Sequence, residues 1–269
     1  MKTNSTKKST SELQSNPEFE RKNKKSVSET GHAKNVANFQ DLISFCEGHG
    51  AIYNPSKESL KIPQLKALYQ EALDKLTEAK NQKITFDNAT NERRNAFSDL
   101  KPLSTRVINS FAVSGADTLA IADVKGINKK LQGGTSKKST PTETIIEEGI
   151  TNKNISTSQQ SYDRQIDNFA NLVQLLELHN IYEPNEIDLK TNSLQSKLAD
   201  LQSKNTALIN AYTQYSNAMI NRNQKLYNPL TGLIQTSKEV KQYIKSVFGA
   251  NSPQFKQISD LEFKIVKKD

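Results

Sequence analysis

Arg93 and Arg222 are the residues of this chain whose type and spacing come closest to chemistry. They stand 129 positions apart (222 − 93) and hold the same place in two long apolar-patterned stretches. A buried, paired arginine can grip a carboxylate through two parallel N–H donors. The competing expectation is that each stretch frays near its end and the guanidinium snorkels to water, and the pattern favours this second reading. Glu92 and Asp99 are acidic neighbours of Arg93, whereas Arg222 has none nearby in the sequence. Asn205 is a polar residue at an apolar position of the second stretch. Such a residue either sets register at a cost in stability or marks an exposed part of the seam.

His49 and His179 form a second matched pair, each closing a short apolar segment. A histidine at a helix C-terminus complements the helix dipole. His32, the remaining histidine, falls in the polar N-terminal stretch. No HExxH and no His/Asp/Glu set with metal-ligand spacing is present. Tyr53 and Tyr182 sit in matched turns and are expected to cover an end of the bundle. Tyr212, Tyr215 and Tyr227 could stack on bases, but their heptad spacing favours core packing. Cys46 is the only cysteine. It lies in the apolar run Leu42-Ile43-Ser44-Phe45-Cys46 and is expected to pack as a small hydrophobe. Gly133-Gly134-Thr135-Ser136-Lys137-Lys138 lacks the spacing and preceding strand of a phosphate loop, and no nucleophile elbow appears. No catalytic, cofactor-binding or metal-binding residue is assigned, and no cofactor is expected. Arg93, Arg222, Asn205, Tyr53 and Tyr182 are the candidate structural or interaction residues.

The elements that must position these residues occur twice. Asn38-Phe39 with Leu42, Glu47 and His49 returns as Asn168-Phe169 with Leu172, Glu177 and His179. The turn Ile52-Tyr53-Asn54-Pro55 returns as Ile181-Tyr182-Glu183-Pro184. From Pro63 to Lys101 there is no Gly or Pro. A heptad seam runs there through Leu65, Tyr69, Ala72, Leu76, Ala79, Lys83, Phe86, Thr90, Arg93, Phe97 and Leu100. The second seam, Leu194, Leu198, Leu201, Asn205, Leu208, Tyr212, Tyr215, Met219, Arg222 and Leu226, follows at a constant offset of 129 (194 − 65). A helix of this length spans roughly 50 Å and cannot bury its stripe without a partner.

Shorter helices are expected over 103–113, after Gly115 with an end at Gly126, over 166–179, over 233–248, and through Leu261. Four segments follow: a disordered basic tail, 1–37; a first helical unit, 38–127; a polar linker, 128–160; and a second unit, 161–269. The expected fold is all-α, an elongated antiparallel helical bundle of two tandem, similar units packed as one body.

Composition narrows the function classes. The chain of 269 residues is 34% hydrophobic, has no Trp and has a mean hydropathy of -0.70. That suits a bundle with long polar flanks. Its net charge of +8 is uneven: residues 1–37 hold eight Lys/Arg against four Glu, and 128–160 hold five Lys against three Glu. No stretch approaches the length of a transmembrane helix. No apolar core of a Sec signal follows the first lysines, so a cytoplasmic location is expected. The expected function is that of a non-enzymatic interaction or scaffold protein with a protein partner. One alternative is nucleic-acid association through the Lys-rich tail and linker, and another is a secreted helical effector or membrane-active protein.

Overall fold

A computed structural model describes residues 29–133 and 161–266, and every regular element among them is helical. Eight α-helices follow in chain order: α1 (Glu29–Gly48), α2 (Ile62–Phe97), α3 (Leu100–Ala112), α4 (Thr118–Gln132), α5 (Tyr162–Leu178), α6 (Thr191–Tyr227), α7 (Leu233–Phe248) and α8 (Pro253–Ser259). Short 3-10 turns at Glu58–Leu60 and Ile187–Leu189 lead into α2 and α6.

Local chemistry accounts for several ends. Pro63 opens α2, where a missing N–H costs nothing. Asp117 caps α4, its carboxylate accepting from the amides of Leu119 and Ala120 at 2.9 Å. Gly133 closes α4 in the left-handed region with φ 78°, the usual helix-ending glycine conformation. Gly232 joins α6 to α7 where a Cβ would fall 2.5 Å from the Asn228 nitrogen, so no larger residue fits there without moving backbone.

Several boundaries differ from the sequence expectation. α1 starts at Glu29 rather than 38, because His32, Asn35 and Val36 are buried on the stripe that continues into Phe39. His32 and Asn35 therefore belong to a core-facing stripe, not to a solvated tail. α2 ends at Phe97, and the break falls at Ser98-Asp99. Pro102 does not break it; it lies in the first turn of α3, where proline is tolerated. α4 passes through Gly126, so the expected linker from 128 begins inside a helix. The remainder of that linker and residues 1–28 lie outside the described residues.

The apolar side chains gather into two cores. The first joins Val36, Phe39, Leu42 and Cys46 of α1 to Leu65, Ala72 and Leu76 of α2, Leu226 of α6, Leu233, Val240 and Ile244 of α7, and Ile258 of α8. The second joins Phe97 of α2 to Leu100, Val107 and Phe111 of α3, Val124 and Leu131 of α4, Ile166, Phe169, Leu172 and Leu176 of α5, and Leu194 and Leu201 of α6. Each fully buried Leu or Phe contributes about 1.5–3 kcal/mol. Both cores draw helices from both halves of the chain. The start of α2 and the end of α6 share one core; the end of α2 and the start of α6 share the other.

Between the cores α2 and α6 pack on each other along a waist. Ala79, Leu208, Ala211 and Ala218 are buried there and belong to neither core. Phe86 stacks on Tyr215 at 5.9 Å, while Tyr212 leans on Phe86 at 5.6 Å and remains 56% exposed. Tyr212 is therefore not the core residue that heptad spacing implied. At the waist each helix has a single neighbour and buries a narrower strip, and Ala211 and Ala218 take the places expected for Tyr212 and Met219.

Candidate functional site

The candidate residues Arg93 and Asn205 meet where α2, α5 and α6 converge. Asn205 is buried. Its amide oxygen accepts from Arg93 Nη1 at 3.0 Å, and its Nδ2 donates to Asp163 Oδ1 at 2.8 Å. The Arg93 guanidinium lies 4.0 Å over the Tyr162 ring, a favourable cation–π geometry. Tyr162 in turn meets Phe97 edge-on at 4.8 Å. The Asn205 amide thus bridges a cation and a carboxylate on different helices. It binds register to charge, which is the specific reading of a polar seam residue. Arg93 Nε is buried without a partner.

Arg222 is 3% exposed, and its Nε and Nη2 donate to Asn223 Oδ1 at 3.1 and 2.9 Å. Neither arginine lies on a frayed end, since α2 continues to Phe97 and α6 to Tyr227. The favoured expectation that both snorkel to water therefore gives way to one arginine stacked and half-buried and one fully buried. The position matching Asn205 in the first seam is Leu76, which is buried in the first core.

The two turn tyrosines make the same bond. Tyr53 Oη donates to the Leu60 carbonyl at 2.7 Å, and Tyr182 Oη to the Leu189 carbonyl at 2.9 Å, each across seven residues. The bonds hold the 3-10 turns that enter α2 and α6. Burial pushes the Tyr182 hydroxyl up to about 12 and raises that of Tyr53 further. Both remain donors at neutral pH. Burial also raises the Cys46 thiol, to about 12. A thiol so protonated is no nucleophile.

His49 packs on Phe248 at 4.9 Å and His179 on Phe111 at 5.3 Å. Burial lowers the His49 pKa, which disfavours the cation that a dipole role calls for. His49 Nε2 has no hydrogen-bond partner. His32 Nδ1 lies 2.5 Å from the Tyr227 hydroxyl. Asn35 brackets the C-terminal segment, donating to the Lys264 carbonyl at 2.8 Å and accepting from its amide at 3.0 Å. Sequence reasoning missed His32, Asn35, Tyr162 and Asp163. Ser161 as a helix cap followed by Tyr162-Asp163 was the available signal for the last two.

Lysines on the helices and at the turn before α2 pair with carboxylates. Lys57 meets Glu239 at 2.6 Å, Lys83 meets Asp87 at 2.6 Å, Lys197 meets Asp99 at 2.7 Å and Lys204 meets Glu92 at 2.9 Å; Lys225 pairs with Glu71 and Arg106 with Asp188. The basic segments of the nucleic-acid reading fall mostly outside the described residues. Among the described residues no group of three or more His, Cys, Asp or Glu could hold a metal ion. No described helix is long and apolar enough to cross a membrane. No protein-family model, curated protein or solved structure matches the chain.

Proposed function

We propose that this chain is a non-enzymatic scaffold or interaction protein. In this reading two tandem helical units contribute one long helix each to an antiparallel spine, and the units exchange their short helices across it. The observation that carries the reading is the crossed pairing of matched residues. His49 of the first unit rests on Phe248 of the second, and His179 of the second on Phe111 of the first. The ion pairs support the antiparallel course: as the carboxylate moves from Glu71 to Glu92 on α2 and on to Asp99 just past its end, the lysine on α6 moves back from Lys225 to Lys204 to Lys197. A spine of this kind spaces two folded ends by up to the length of a 36-residue helix, roughly 54 Å. It thereby offers separate surfaces to partners.

Affinity capture from the native host with mass spectrometry tests the role. The full chain is compared with a form starting at Glu29, because a start near Asn35 would cut into α1. A protein partner retained on truncation assigns binding to the helical body, and one lost assigns it to residues 1–28. Absence of any protein above background with either form, or nucleic acid as the sole captured species, would sink the reading.

A further inference from the structure

Residues 261–266 run as a strap over α1 without joining a helix. Polar side chains of the helices hold the strap by its main chain. Asn35, 2% exposed, donates Nδ2 to the Lys264 carbonyl at 2.8 Å and accepts from the Lys264 amide at 3.0 Å. A neighbouring strand would make the same pair of bonds. Asn38 Nδ2 donates to the Glu262 carbonyl at 2.7 Å, and Lys241 Nζ of α7 to the Leu261 carbonyl at 2.6 Å. Gly31 lets the strap close on α1, since a Cβ there would fall 3.0 Å from Val266.

The strap's own side chains contribute less. Leu261, Phe263 and Val266 are half-buried, and Glu262, Lys264 and Ile265 are exposed. None is enclosed as Phe39 and Leu42 of α1 are. The face therefore reads main chain, which every extended peptide presents. The other end of the molecule shows what such an asparagine needs. Asn168 of α5, the match of Asn38, is 8% exposed, and its Nδ2 has no hydrogen-bond partner. There a helix, α4, packs on α5, and a helix spends its carbonyls on its own turns.

We propose that this face of α1 and α7 is a binding site for an extended peptide segment of a partner protein, with residues 261–266 as its resident competitor. Main-chain bonds give such a site affinity, and alternate side chains give it specificity. The strap supplies the pattern: apolar at the places of Leu261, Phe263 and Val266, and acidic at that of Glu262, whose charged form Lys264 and, from α1, Lys34 favour. The strap leaves Ile265 55% exposed, so a partner's segment has contacts left to gain. A second copy brings only the same strap, so exchange gains no contact in the groove and adds the cost of association. The proposal rests on the interaction reading for the existence of a partner; the site's affinity for peptide is measured without one.

Nuclear magnetic resonance of the isotope-labelled full chain tests it, with a synthetic peptide of residues 260–269 as the probe. Local opening of the strap should let the Lys264 amide exchange about a hundredfold faster than those of Phe39 and Leu42. The strap competes from within the chain at an effective concentration of roughly millimolar, so the peptide should bind the wild type only near that concentration. Phe263→Ala in the chain weakens the strap and leaves the groove intact, and the same peptide should then bind about tenfold more tightly. The signals that shift should centre on Gly31, Asn35 and Asn38. Lys264→Pro in the peptide removes the N–H that Asn35 accepts and should weaken binding about fivefold, whereas Lys264→Ala should not. A Lys264 amide as slow as those of Phe39 and Leu42 overturns the proposal, as does a Phe263→Ala chain that ignores the peptide. Equal binding of the Lys264→Pro and Lys264→Ala peptides overturns the main-chain readout. Dimers that form as concentration rises, with the strap signals changing in step, give the groove to a second copy and overturn the assignment to a partner.

Discussion

The two ends of the molecule solve one packing problem with different chemistry. Each buries a phenylalanine from its short helix, Phe39 at the first end and Phe169 at the second, and each closes its turn with a tyrosine-to-carbonyl bond. They differ where the short helix meets the long pair. At the second end Asn205 links Arg93 to Asp163. At the first the matching position is the apolar Leu76. There polar side chains instead tie the helices to the C-terminus, with Asn35 and Asn38 holding the carbonyls of Lys264 and Glu262. Polar specificity is thus used once per end, at different places. At one end it sets the register of the long helices; at the other it fastens the last residues onto α1.

The deepest change to this comparison is to empty one core. Phe39→Ala and Phe169→Ala should each cost about 3–5 kcal/mol. Hydrogen exchange should locate the loss: α1, α7 and α8 lose protection in the first variant, α3, α4 and α5 in the second. Uniform loss across both ends would mean that the waist couples them into one unit.

Exchanging the junction residues comes next. Leu76→Asn removes a buried leucine and buries an amide without partners, so it should cost about 3 kcal/mol or more by chemical denaturation. Asn205→Leu leaves Arg93 and Asp163 without their bridge and should cost about 1–3 kcal/mol. If Asn205→Leu instead stabilises the protein, the amide contributes specificity alone.

The turn bonds offer a finer comparison. Tyr53→Phe and Tyr182→Phe should each cost about 1 kcal/mol. The two costs should be alike, because each change removes the same tyrosine-to-carbonyl bond. Clearly unequal effects by chemical denaturation would mean that the two turns are not held alike.

The smallest effect is in pH. Burial lowers the folded pKa of His49. The folded state therefore binds fewer protons there than the unfolded state, and stability falls as pH drops below the unfolded value of about 6.5. At the second end the bonds from the Ala120 and Leu119 amides hold Asp117 below its ordinary value, and the Arg106 hydrogen bond does the same for Asp188. Their stabilisation is present above the unfolded value of about 3.9 and is lost as pH falls through the lower folded one. Exchange protection should therefore weaken first at the α1–α7 end on mild acidification. Equal acid sensitivity of both ends would contradict this.

Much of the fold was legible in the residues. The gap-free stretch after Pro63, the Leu/Ala seam of α6, and Leu233–Phe248 each carry a strong local signal, and α7 falls where its pattern placed it. The site was less legible. The sequence singled out Asn205 and Arg93 but gave no reason to join them to Tyr162 and Asp163. That junction needs α5 to cross beside both long helices, which is a non-local fact. The start of α1 was hidden for a related reason. His32 and Asn35 read as tail residues until Tyr227 and the C-terminal backbone supply their partners.

By itself the sequence determined where most of the helices lie, though not all of their ends, because apolar spacing, proline and glycine act within a few residues. Tertiary structure alone decided which polar residues are buried, which arginine stacks and which is enclosed, and which seam tyrosine faces water. Burial depends on how many neighbours an element has. That number is two or more at the ends and one at the waist, and only the assembled chain sets it.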